Sequence, residues 1–251
     1  MKKLGLVLLA AAVTTISCKN SESENSEKSN ENKENVVTGK PAPNSDWNDL
    51  TTGDINDHWK GYNRDSITQW TLNDGTLHFV PKEGRNQSEN LITKNSYTDF
   101  ELSMEWKISE GGNSGFMWAV VEDKDLGEPY LTGPEIQVLD NEKHPDGKNG
   151  PNRHAGALYD MVAPPENATK PVGEWNSVVL KIDHKTNEGS VTQNGIKIVE
   201  FPVEGEGWEE LVKNSKFADW DRFGKSKSGH IALQDHGHEV WFRNITIKEL
   251  N

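Results

Sequence analysis

From Trp70 to Leu250 apolar residues recur at every second position in short runs, and Gly, Asn and Asp punctuate the runs. A period of two places alternate side chains on opposite faces of a strand. Phe100-Glu-Leu-Ser-Met-Glu-Trp-Lys-Ile108 is the cleanest case, with Phe100, Leu102, Met104, Trp106 and Ile108 on one face. Trp70 to Val80 reads as a hairpin turning at Asn73-Asp74-Gly75, and Ser190 to Glu200 as another turning at Asn194-Gly195. Both turns offer residues that tolerate the positive φ of a tight hairpin. Asn90 to Thr93, Glu135 to Leu139, Trp175 to Ile182, Gly229 to Gln234 and Val240 to Leu250 are further strands. Gly115 to Val121 is almost wholly apolar and is expected to be buried on both faces. One segment, Gly207 to Phe217, spaces Trp208, Leu211, Val212 and Phe217 at near-helical intervals. The run after Gly205 and the stretch Asp183 to Thr186 otherwise read as solvated loops. Strands at short intervals with turns between them predict an all-β sandwich or barrel. No repeat of 20–50 residues is visible, which argues against a propeller or solenoid.

The first residues have a different pattern. Lys2 and Lys3 precede a short apolar run, Leu4 to Val13, and Thr15-Ile-Ser-Cys18 closes it. This is the layout of a bacterial lipoprotein leader, 1–17, with Cys18 as the residue that receives lipid. The apolar run is too short to span a bilayer as a mature helix. Cys18 is the one cysteine of the chain, so neither a disulfide framework nor a cysteine-based zinc site is expected. Residues 18–44 are Ser, Glu, Asn and Lys with little apolar content, and are expected to form a disordered polar tether. Residues 45–251 then make one domain of ordinary size. The expected location is the cell envelope, on the periplasmic face of an outer membrane or at the cell surface, with membrane contact only through the lipid.

The net charge is −13, and loss of Lys2 and Lys3 with the leader makes it more negative. Such a balance disfavours nucleic acid and anionic membrane surfaces as partners. Nine tryptophans against seven phenylalanines suit a protein that packs, and also stacks on sugars, with indole rings.

The chemistry concentrates in Thr132-Gly-Pro-Glu-Ile-Gln-Val-Leu-Asp140 and the loop after it. Alternation sets Glu135 and Gln137 on the face opposite Ile136 and Val138, so a carboxylate and an amide stand side by side. Glu135 suits a base or a ligand for a hard cation; the competing reading is a structural carboxylate paired with Arg153. His144 suits a general acid or base or a metal ligand, as does His236 in the Asp235-His-Gly-His238 turn, which needs no function to explain it. Gln137, Gln234 and Asn113 suit sugar hydroxyls, as do Arg153, Tyr159, Asp160 and Asp235. A divalent metal on Glu135 and His144 is an open possibility. Trp118 reads as core, and Trp241 and Arg243 as packing and an ion pair. Gly-rich phosphate loops, Gly-x-Ser-x-Gly and the Glu-x-Asp-x-x-Glu of laminarinase-like enzymes are absent.

Eight motifs in order then resemble the 3-keto-disaccharide hydrolase domain family. They are Asp99-Phe-Glu-Leu-Ser-Met-Glu-Trp, Gly111-Gly-Asn-Ser-Gly, the Thr132 to Asp140 segment, Lys143-His-Pro-Asp, Gly156-Ala-Leu-Tyr-Asp, Gly173-Glu-Trp-Asn, Gly229-His-Ile-Ala-Leu-Gln-Asp-His-Gly and Val240-Trp-Phe-Arg-Asn-Ile. The resemblance spans Trp47 to Leu250. It implies a concanavalin A-like jelly roll of two antiparallel sheets with a ligand site on the concave face, and activity on glycosides oxidised to a 3-ketone. One departure is that Phe116-Met-Trp-Ala-Val120 lacks the arginine that family members often carry there.

A 3-keto group acidifies the C2 proton. A base removes it, the C1 oxygen leaves by β-elimination, and water adds to the enone. That route needs a base, an acid for the leaving oxygen and an electrophile for the enolate, for which Glu135, His144 and His236 are the expected catalytic residues. The alternatives are a non-catalytic carbohydrate-binding module and a conventional glycoside hydrolase acting on unoxidised glucans.

Overall fold

The computed structural model describes residues 46–84, 87–166 and 168–250. The leader, Cys18 and the tether up to residue 44 lie outside the described residues. Thirteen strands form two antiparallel sheets among those described. In chain order they are β1 (Asn48–Asp49), β2 (Trp59–Gly61), β3 (Trp70–Asn73), β4 (Thr76–Phe79), β5 (Leu91–Thr93), β6 (Phe100–Ile108), β7 (Asn113–Val120), β8 (Glu135–Leu139), β9 (Asn176–Asp183), β10 (Glu188–Gln193), β11 (Ile196–Phe201), β12 (His230–Leu233) and β13 (Val240–Glu249). The large sheet runs β11-β10-β9-β6-β13-β4-β3, with β1 also on β13; the small sheet runs β2-β5-β12-β7-β8. This is the all-β sandwich that the spacing of strands predicts, in the two-sheet jelly-roll arrangement that the resemblance implies.

β6 alternates buried and partly exposed residues along its whole length, because only one of its faces meets the core. β7 is buried throughout, since the core covers one face and loops cover the other. Phe116, Ile136, Val138, Ile231 and Leu233 pack toward the large sheet with Leu102, Trp106 and Phe242. Met117, Val120, Ile92 and Ala232 form a separate small cluster on the opposite face of the small sheet. Trp118 is core, stacked on Phe201 at 5.6 Å, and Arg243 pairs with Glu105 at 2.5 Å. The two predicted hairpin turns carry positive φ at Asp74, Gly75, Asn194 and Gly195.

The helix, α2 (Gly205–Lys213), ends four residues before the spacing suggested. A four-residue helix, α1 (Ile55–His58), capped by Asp54, has no apolar periodicity to betray it. Among the described residues no helix is long and apolar enough to cross a membrane.

Candidate active site

β7 and β8 pair so that Gly115 faces Gln137 and Met117 faces Glu135. Alternation then points Asn113, Glu135 and Gln137 away from the large sheet, onto the outer face of the small one. Beyond Leu139 the chain leaves as a loop and returns along the free edge of β8. There Gly156 N donates to Gln137 O at 2.8 Å, Gln137 N to Ala157 O at 3.1 Å, and Tyr159 N to Glu135 O at 2.9 Å. This fold-back sets Tyr159 beside Glu135. A cavity of about 300 Å³ opens over these residues, closed by Gln234, His236, Tyr130 and the segment Lys216–Trp220.

Glu135 is 6% exposed, and its carboxyl pKa is pushed up to about 8. Burial is the main cause; the positive charge of Lys216 opposes it and Asp146 adds to it. Lys216 crosses the mouth of the cavity with its ammonium 4.2 Å from the centre of the Tyr159 ring. The residue as a whole is exposed, yet desolvation of the amine holds its pKa below the usual lysine value, against the pull of Glu135. Arg153 does not pair with Glu135. It binds Asp146 at 3.1 Å and Asp160 at 2.8 Å instead.

Behind the cavity those groups form one network. Tyr159 Oη donates to Asp146 Oδ2 at 2.7 Å, and Arg153 Nη1 donates to Tyr159 Oη at 3.2 Å. Burial raises the Tyr159 phenol, and its bond to Asp146 raises it further, so it stays neutral. Burial raises Asp146 too, but bonds from Tyr159, Asn149 and Arg153 outweigh this and keep it ionised. Asp160, held at φ +62°, accepts from Arg153 and from the backbone N of Lys216 at 2.7 Å. Arg153 and Asp160 therefore support Tyr159 and Lys216 from behind rather than face the cavity.

Gln137 Oε1 and Gln234 Oε1 are buried and have no hydrogen-bond partner among the described residues. An unpaired buried carbonyl is costly, and both side chains belong to the cavity wall. Two acceptors are therefore held ready for hydroxyl donors. Asp235 plays a different part. Its carboxylate accepts from Glu89 N at 2.6 Å and Gly237 N at 2.8 Å, and it fixes the turn that carries His236.

His144 accepts the Asp146 amide on Nδ1 at 3.1 Å and caps a short 3-10 helix, Pro145–Asn149. Its ring stands edge-on to His236, centroids 5.9 Å apart, and to His238 at 5.4 Å. Desolvation lowers the pKa of both His144 and His236, which leaves neutral imidazoles. Among the described residues, the acids and histidines close enough to hold a metal ion are His144, His236 and His238. Glu135 is not in that group, so the pairing of Glu135 with His144 is not the one the fold assembles.

Tyr130, Lys216, Phe217 and Trp220 escape the sequence reading. The run after α2 is not a solvated loop: Phe217 and Phe223 are 2% and 1% exposed and stack at 3.8 Å. Trp220 packs edge-on to Phe217 at 5.0 Å and tilts toward Tyr130 at 6.0 Å. The aromatic spacing Phe217, Trp220, Phe223 is the signal that was available. The cavity thus joins an aromatic wall, two partnerless amides, a protonatable carboxyl and an amine, a set suited to a polyhydroxylated ligand.

Residues 46–248 match the family described as 3-keto-alpha-glucoside-1,2-lyase-like domain. A 3-keto-disaccharide hydrolase of Bacteroides thetaiotaomicron is 39% identical over 222 residues, covering 77% of this chain and 74% of that protein. A candidate glycosyl hydrolase of Parabacteroides distasonis ATCC 8503, solved at 1.70 Å, superposes with a TM-score of 0.75 at 28% identity, over 82% of this chain and 94% of that one. A Bacillus subtilis protein of unknown function with a galectin-like fold gives a TM-score of 0.51 at 13% identity, covering 84% of this chain and 97% of that one, a likeness of fold alone.

Proposed function

The chain belongs to the 3-keto-alpha-glucoside-1,2-lyase-like domain family, and from that premise we propose that it cleaves the glycosidic bond of 3-keto-disaccharides by C2 proton removal, elimination and addition of water. The observation that carries the reading is Glu135, a buried carboxyl with its pKa near 8, set opposite Lys216 in a cavity with two partnerless amides. A carboxylate of such raised basicity is a better base for a carbon acid than an ordinary surface one. Gln137 and Gln234 accept hydroxyl protons of the sugar, and Trp220 and Tyr130 flank its apolar face.

Glu135 takes the C2 proton, and the charge that develops on the 3-oxygen is met by the Lys216 ammonium. The enolate returns its electrons, the C1–O bond breaks, and the departing oxygen takes the proton from Glu135. Water then adds to C1 of the enone while the Glu135 carboxylate, free again, accepts its proton and passes it to C2. Substrate plus one water gives the 3-keto monosaccharide and the freed alcohol.

A conventional two-carboxylate glycosidase has less support, because Asp146 and Asp160 are both bound by Arg153. The test is turnover of a 3-keto-disaccharide in heavy water. Deuterium at C2 of the product, above the rate of exchange in product alone, supports elimination; its absence during turnover overturns that route. Sugar binding without turnover leaves a carbohydrate-binding module. We also propose, from the leader, that the domain is held at the cell envelope by lipid on Cys18.

A further inference from the structure

The turn between β12 and β13 and the loop after β8 are separate in sequence, yet they bring three imidazoles together. His144, His236 and His238 each offer a nitrogen, all within 4.8 Å of one another. The His236 and His238 rings lie nearly parallel at 5.9 Å, and His144 stands edge-on to both. Asp235 braces the turn through Gly237 N, and the carbonyl of Asp140 holds His144 N at 3.0 Å.

We propose that these three histidines bind a divalent first-row transition-metal ion of the zinc or cobalt class at the rim of the cavity. Three nitrogen donors without a carboxylate suit borderline ions and not calcium or magnesium. Three protein ligands with a remaining open position are also the pattern of sites that take an exogenous oxygen ligand. His236 lines the cavity, so that ligand is an oxygen of whatever occupies it. Glu135 stays outside the set and keeps its proton chemistry.

The geometry requires one movement. Nitrogens sharing a tetrahedral ion at about 2.0–2.1 Å lie roughly 3.3 Å apart, so the trio must close. In the present arrangement the Asp146 amide donates to His144 Nδ1, which makes Nε2 the protonated nitrogen of the neutral ring. To ligate through Nε2, His144 must give up that bond and move its proton to Nδ1.

The test uses untagged full chain, stripped with chelator and titrated with Zn²⁺ or Co²⁺ by calorimetry and by Co²⁺ visible absorption. The expected result is one ion per chain, weakened at least tenfold in His238→Ala and in His144→Ala, with melting temperatures measured to confirm folding. Nitrogen-15 spectra of the wild type should show the His144 proton passing from Nε2 to Nδ1 on saturation. Failure of either ion to saturate the wild type overturns the proposal. So does uptake unchanged in the double variant, or Ca²⁺ binding as tight as Zn²⁺. None of these readouts depends on turnover.

Discussion

Gly115 lies directly beneath the carboxylate of Glu135: a Cβ built on Gly115 would fall inside the contact distance of Oε1. The glycine is thus what lets the acid lie over β7. Gly115→Ala must push the carboxylate away from its seat. We expect a fall in kcat/KM of roughly 10²-fold from misplacement of the base and a stability loss of about 1–3 kcal/mol from overpacking. Steady-state kinetics and urea unfolding on the same preparation check both, and a fully active alanine variant would show that the carboxylate's position is not critical.

The raised pKa of Glu135 predicts how rate and stability depend on pH. If its carboxylate is the base, kcat/KM climbs through an apparent pKa near 8, and Glu135→Gln loses both the activity and that limb. Stability runs the other way. Folded Glu135 holds its proton above the ordinary value of 4.5, so the unfolded chain binds fewer protons between there and about 8. Wild-type stability therefore falls as pH rises through that window. Glu135→Gln should lack the fall, so the gap between the two unfolding midpoints should widen from pH 5 to pH 8.

Lys216 should leave its mark on the same profile. Its charge pulls the Glu135 pKa down. Lys216→Met should therefore move the acid limb to higher pH, as well as cutting kcat by about 10²-fold through loss of the cation facing the enolate. A rate loss without any shift of the limb would place Lys216 away from Glu135 in solution.

Tyr159 is predicted to act by position. Its hydroxyl is committed to Asp146 and Arg153, so Tyr159→Phe keeps the ring under Lys216 but strips a bond from a half-buried carboxylate. The expected cost is about 1–3 kcal/mol of stability, with kcat reduced less than in Glu135→Gln. A kcat as low as that of the Glu135 variant would make the phenol a proton carrier.

Cys18→Ala should abolish incorporation of labelled fatty acid and release the chain from the membrane fraction. Unchanged labelling would remove Cys18 as the lipid site.

Much of the fold was legible because long strands of the large sheet, β6 and β9 above all, bury one face only. β6 carries that asymmetry without interruption, and Asp74-Gly75 and Asn194-Gly195 supply the φ values their turns need. The wall of the site was legible from the period of two itself, since alternation alone puts Glu135 and Gln137 together. The remainder depends on contacts between distant segments, which have no local pattern. Tyr159 reaches Glu135 only because Gly156–Tyr159 hydrogen-bonds to the edge of β8. Lys216 reaches the cavity because its amide is caught by Asp160, 56 residues away in the chain. The triad of rings at 217, 220 and 223 has a spacing that fits a helix face, although the helix has already ended at Lys213.

The place of β13 has a consequence for how the large sheet closes. This last strand lies between β6 and β4 and also pairs with β1. Until Val240–Glu249 pairs, β6 and β4 present two open edges with no strand between them. The large sheet becomes continuous only when β13 is in place, so a chain with that strand unpaired carries exposed edges. Pairing of this one strand therefore closes two edges at once.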